Sequence, residues 1–118
     1  MEIFKKDEII WIVNNVGVVV YLYKCKVVEQ TQFEINVEIL NKNNKSRSFY
    51  IYQPNTKFIR NKYEARSIFI ALACKKRNLS EDFERVYKII KENTGLNNIS
   101  TIRIEIDKSQ SQFPELWL

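Results

Sequence analysis

A chain of 118 residues with 45% apolar and 13% aromatic content has the size of one domain and enough side-chain volume for a true core. The absence of histidine and the presence of only two glycines exclude the commonest general base, the commonest metal ligand, a glycine-rich phosphate loop and a dinucleotide fingerprint. The net charge is +5 and the longest apolar run, Val16–Tyr23, is too short to span a bilayer.

The opening MEIFKKDEII lacks the apolar stretch of a signal peptide, so a cytoplasmic protein with no membrane partner is the expectation. Glu8 to Val13, with Trp11, reads as a short strand, and Asn14-Asn15 marks a turn with Gly17 just beyond it. A long strand follows from Val16 to Val28. Its first half is apolar on both parities, while its second half sets Tyr23, Cys25 and Val27 against Lys24 and Lys26. A strand that passes from two-sided to one-sided burial predicts a bent strand in a curled sheet.

Phe33, Ile35, Val37 and Ile39 alternate with Glu34, Asn36 and Glu38, a third strand. Asn41 to Lys45 is a polar hairpin loop. In Arg47–Gln53, Phe49 and Ile51 share one face and Ser48, Tyr50 and Tyr52 the other, and Pro54 ends the strand. These four strands form an antiparallel meander over residues 1–54.

The stretch NTKFIRNKYEARSIFIALACKKRN, Asn55 to Asn78, reads as a helix capped at Asn61, with Glu64 completing a capping-box-like pattern. Ala65, Ile68, Phe69 and Leu72 make one apolar face, and Tyr63, Ile70 and Cys74 a second on the far side. Burial on two sides follows, with the sheet on one and a second helix on the other. Ser80 caps that second helix, about Glu81 to Asn93, whose apolar face is Phe83, Val86, Tyr87 and Ile90. Glu81–Arg85 and Glu84–Lys88 pair on its wet side, and Gly95 stops it. Ile102, Ile104 and Ile106 alternate with Arg103 and Glu105, which predicts a last strand from Ile99 to Ile106. A polar stretch to Gln112 and an apolar end, Phe113–Leu118, complete the chain, and the apolar end is expected to dock as a tail. The fold class is thus α+β: a bent antiparallel N-terminal meander, two helices over residues 55–95, a C-terminal strand over 96–107 and a tail over 108–118, all in a single domain.

The acidic-then-aromatic opening strand (Asp7-Glu8 through Trp11), the three further meander strands and the Asn-Thr-Lys-Phe entry into a Glu-Ala-Arg helix resemble small SH3-like-barrel proteins of bacteria and phages. The resemblance covers about residues 4 to 77. It implies a barrel-like meander and a binding module akin to KOW and Tudor domains, which take nucleic acid, proteins or peptides.

Charge is concentrated. Between Lys42 and Arg77 lie ten basic residues and one acid, Glu64, so the rest of the chain is net acidic. Lys75, Lys76 and Arg77 offset the dipole at a helix end. Arg60 and Lys62 stand at a helix start, where cations oppose the dipole and suit a bound anion. The candidate binding residues are therefore Lys57, Arg60, Lys62 and Arg66, with Tyr50 and Tyr52 as secondary candidates for base stacking. Cys25 and Cys74 read as buried free thiols, and no metal or cofactor is implied. With no catalytic constellation in view, the chain reads as a non-catalytic binding protein for nucleic acid or a nucleoprotein. The alternative is a mobile-element inhibitor (anti-CRISPR-like) or adaptor that binds a host protein, and an acidic protein surface would then meet the same cations.

Overall fold

Neighbouring strands that are apolar on both parities need cover on two sides, and the architecture supplies it. The computed structural model describes residues 3–118. Strands β1 (Ile9–Val16), β2 (Val19–Gln30), β3 (Glu34–Ile39), β4 (Lys45–Tyr50) and β5 (Thr56–Ile59) precede helices α1 (Lys62–Arg77), α2 (Phe83–Thr94), α3 (Ile99–Gln112) and the short α4 (Pro114–Trp117). The strands form one antiparallel sheet in the order β4-β3-β2-β1-β5. The α+β class and the N-terminal meander are as expected. Among the described residues, no helix is long and apolar enough to cross a membrane.

The two faces of the sheet bury different partners. Trp11 and Val13 of β1, Val20 and Leu22 of β2 and Ile59 of β5 face the helices, where Phe69, Ile70, Val86, Ile90 and Ile102 complete the layer. Ile10 and Ile12, in register with Cys25 and Tyr23, face the other way. There the sheet curls over its own side chains, and Val27, Ile35, Val37, Ile39 and Phe49 form a second core. The bend expected in the long strand is a bulge between Val27 and Glu29. The curl brings the edge strands together: Phe49 of β4 meets Phe58 of β5 edge-on, with ring centroids 6.4 Å apart. β4 and β5 remain the two edges of the hydrogen-bonded order, so the sheet is not closed into a barrel.

α1 is buried on both sides. Asn61 Oδ1 accepts from the N–H groups of Tyr63 and Glu64 at 2.9 and 3.0 Å, which satisfies two donors left free by the first turn. Ala65, Ile68, Phe69, Ile70 and Cys74 are buried, whereas Leu72 is only partly covered and Tyr63 is exposed.

Four expectations require correction. Thr56–Ile59 is a strand pairing with β1, from Trp11 opposite Ile59 to Asn14 opposite Thr56, so the helix begins only after Asn61. The turn is not at Asn14-Asn15, which lie inside β1. Thr56 donates its hydroxyl to Asn14 Oδ1 at 3.2 Å, and Asn15 N–H donates to Asn55 O at 2.9 Å. Thr56 of β5 thus gives the Asn14 side chain a partner that an asparagine in a turn would find in its own backbone. The reversal falls at Gly17-Val18, with Gly17 at φ 57°, a value that strains any residue bearing a Cβ. The second helix starts at Phe83 with Asp82, not Ser80, in the cap position, and Arg85 pairs with Asp82 at 3.7 Å.

The largest correction is at the C-terminal end. Residues 99–112 form a helix, not a strand. Isoleucines at 102 and 106 satisfy a four-residue spacing as well as a two-residue one, so alternation alone does not discriminate. The buried set Ile102, Glu105, Ile106 and Ser109 follows the helical period, and Ile104 is 54% exposed. Asn98 caps this helix, accepting from Ser100 and Thr101 N–H at 2.8 and 3.3 Å. α3 covers the flank of α1 that the sheet leaves open. The tail docks against the same core through Phe113, Leu116 and Trp117. Trp117 Nε1 donates to Ser109 Oγ at 3.1 Å, and that hydroxyl donates to Ser67 O at 2.6 Å, tying α4, α3 and α1 in one chain of hydrogen bonds.

Candidate nucleic-acid interface

β2 is twelve residues long, yet β3 pairs only with its second half, Cys25 to Gln30. Towards Val19 the outer edge of β2 has no strand beside it, and side chains stand in for one. Asn41 donates Nδ2 to Leu22 O and accepts from Lys24 N–H, both at 3.0 Å. Asn93 of α2 accepts from Leu22 N–H at 3.4 Å and is fixed by donating to Ile89 O at 2.9 Å. By strand alternation, Val20 turns its amide to the same side. The result is a notch between the sheet, the helices and the loop that joins β3 to β4, where Asn43 and Asn44 hold the left-handed conformation at φ 60° and 51°.

Three clefts follow this notch. The first, about 300 Å³, is lined by Trp11, Leu22, Lys24, Lys62, Arg66, Glu92 and Asn93 among others. The second, about 180 Å³, shares Glu92 and Asn93 with it and adds Tyr21, Lys42, Lys76 and Arg77. The third, about 320 Å³, shares Tyr21 and Lys42 with the second and adds Tyr23, Lys45 and Arg47. Among the described residues, eight cations line the series, and Glu92 is the one acid.

The cations are not equivalent. Arg66 Nε lies 3.3 Å from Glu105 Oε2, with both side chains about a tenth exposed (11% and 10%), and its guanidinium sits 5.1 Å from the centre of the Tyr63 ring. Its charge is matched inside the protein. Lys76 donates to Gly17 O, a neutral acceptor. Arg77 Nε is buried with no hydrogen-bond partner among the described residues, a donor that an anion would satisfy. Arg47 donates to Tyr23 Oη at 3.3 Å, with its guanidinium 4.5 Å from the Phe49 ring centre. Burial pushes the Tyr23 phenol above its ordinary value, and Arg47 opposes the shift. Lys24, Lys42, Lys45 and Lys62 are exposed.

No family model, curated protein or solved structure matches the chain.

The six residues singled out in the sequence do not share one site. Lys62 and Arg66 line the first cleft. Arg60 is engaged elsewhere: Nε is 2.8 Å from Glu8 Oε2, the guanidinium donates to Ile3 O at 2.7 Å, and it lies 4.5 Å from the Phe4 ring centre. Arg60, one of the two cations set against the helix dipole, is thereby matched by an acid and pins the N-terminal segment. Lys57 stands exposed on β5 opposite Val13. Tyr50 and Tyr52 are exposed, and Tyr52 lines a separate cleft with Ile3, Phe4, Gln30 and Ile51 at the other end of β2. Phe33, which the sequence alternation groups with Ile35, Val37 and Ile39, is exposed near them.

Trp11, Lys24, Asn41 and Asn93 escape a search for charge clusters, and Lys42, Lys45 and Arg47 enter it only as loop charge. A length comparison would have found them, because a long strand followed by a much shorter one leaves an unpaired edge. Cys25 and Cys74 are buried and free, and burial pushes both thiols up to about 12, with Arg47 opposing the shift at Cys25. They are inert as nucleophiles at neutral pH. Among the described residues, no three histidine, cysteine or acidic side chains are grouped to hold a metal ion.

Proposed function

We propose that this protein is a non-catalytic binder of nucleic acid that takes the phosphate backbone along the notch beside β2. The observation that carries the proposal is the run of three adjoining clefts lined, among the described residues, by the single acid Glu92 and by seven cations besides Arg66, whose charge Glu105 matches. Such a groove attracts a polyanion through counterion release, and its concave shape suits a backbone that runs past several cations in turn. The curl of the sheet is compatible with an SH3-like ancestry, which we hold as a proposal alongside the function.

The test is fluorescence anisotropy with a labelled oligonucleotide across a salt series. Affinity should fall linearly on a log–log plot. Lys24→Gln, Lys42→Gln and Lys62→Gln should each lower the slope by about 0.7 on a single strand. Lys88→Gln, an exposed position on α2 outside these clefts, should leave it unchanged. Salt-independent binding, or a Lys88 effect equal to that of Lys62, would overturn the proposal.

A protein partner is the second reading, in the manner of an inhibitor or adaptor. It is favoured by exposed Ile3, Phe33, Tyr50 and Tyr52 beside the unpaired edge of β4. On that reading, Tyr50→Ala with Tyr52→Ala abolishes biological activity and leaves oligonucleotide affinity intact.

A further inference from the structure

We infer that the third cleft is a nucleobase subsite, so that the protein takes unpaired strands in preference to duplex; this rests on the nucleic-acid reading above. The cleft is built on a series of rings. Phe58 meets Phe49 at 6.4 Å, Phe49 meets Tyr23 at 6.1 Å, and Tyr23 stacks on Tyr21 at 5.6 Å with planes only 8° apart. The series rises from the inner core, where Phe49 is buried, to half-buried Tyr21 at the notch. Tyr23 is held in place by the Arg47 hydrogen bond to its hydroxyl, so Tyr21 rests on a rigid backing. A flat, apolar, hydrogen-bonding ring is the group that extends such a series, and a nucleobase is one.

The walls match what a nucleotide carries besides its base. Lys42, Lys45 and Arg47 line the same cleft and no acid does, so a phosphate beside the stacked base meets only positive charge. Lys42 also lines the second cleft. A strand whose backbone follows the cations can therefore continue past Lys42 while one base turns in against Tyr21. The volume of about 320 Å³ lies at the low end of small-molecule sites and leaves room for one base. In a duplex both faces of each base are already stacked, so only an unpaired base can use Tyr21.

The experiment compares three labelled probes of equal length: oligo(dT), the same backbone with abasic residues, and a duplex. The native protein should bind oligo(dT) about tenfold more tightly than the abasic strand, the usual contribution of one stacked base. Tyr21→Leu, which keeps apolar bulk but removes the π face, should erase that difference without changing abasic affinity or its salt slope. Tyr21→Trp should restore it, and melting temperatures verify that both variants fold. Equal affinity of the native protein for oligo(dT) and the abasic strand would overturn the subsite while leaving the phosphate reading standing. So would an equal loss on both strands in Tyr21→Leu, or preference for duplex. Failure of every probe to bind would overturn both.

Discussion

Arg66 illustrates how a cation can be visible in sequence and its role hidden. It stands one turn into α1, in a basic stretch, and its partner Glu105 lies 39 positions further along. The pair is largely buried at 3.3 Å, with the exposed Lys108 amine 3.6 Å from the second carboxylate oxygen. Removing one partner leaves the other uncompensated in a poorly solvated place. Glu105→Ala should therefore destabilise by about 3–5 kcal/mol in urea titration, whereas Arg66→Met combined with Glu105→Leu should cost far less. Equal losses in the single and double variants would show that packing, not charge, is what the pair contributes.

The thiols give a second prediction at this scale. Burial raises both from an ordinary value near 9 to about 12. Between those values the unfolded chain has lost its thiol protons and the folded chain keeps them, so folding stability falls as pH rises through that window. Each thiol contributes a slope of about 1.4 kcal/mol per pH unit. Cys25→Ala and Cys74→Ala should each flatten the decline above pH 9, and neither thiol should react with a small disulfide reagent in the folded protein at pH 7.

Among the elements, α3 tests which period the chain obeys. On a strand, Ile102, Ile104 and Ile106 would share one face and lose similar stability on truncation. On the observed helix, Ile102→Ala and Ile106→Ala should each cost about 2–5 kcal/mol, and Ile104→Ala less than about half a kcal/mol, the ordinary range for an exposed site. Denaturant midpoints decide between them. The meander strands were legible because Ile35, Val37 and Ile39 alternate with polar residues over a run too short for a helix. α1 was legible because its cap, Asn61, and its two apolar strips agree. β5 was not, since four residues of Thr-Lys-Phe-Ile carry no period of their own and become a strand only because β1 offers an edge. The Asn14-Asn15 turn signal failed for the same reason: tertiary partners outbid a local preference.

At the scale of the molecule, the basic surplus between Lys42 and Arg77 was readable from composition, but its distribution in space was not. Arg60 and Arg66 are matched by Glu8 and Glu105, acids contributed by distant parts of the chain. Lys24, outside the basic stretch, joins Lys62 because the sheet lays β2 beside α1. The sequence counts cations, and the topology selects which of them share a groove. A consequence for the whole surface is that Glu92, between the first two clefts, works against a bound polyanion. Glu92→Gln should tighten oligonucleotide binding at low salt, and the gain should fade as salt screens the groove.

The short β5 ladder also sets an order in time. Every other pairing in the sheet joins strands adjacent in sequence, whereas Asn14 meets Thr56 across 42 positions. Closing that long loop for four residue pairs gives little return until the hairpins exist. β5 should therefore be the last strand to join and the first to come away. When it detaches it carries the start of α1 with it, and Lys62 leaves the groove. Amide hydrogen exchange should be faster at residues 56–59 than at residues 22–27, and a bound oligonucleotide should slow it most at those four positions. Binding would then be felt as a kinetic clasp on the seam of the sheet, passed to it through Lys62 at the start of the helix that follows.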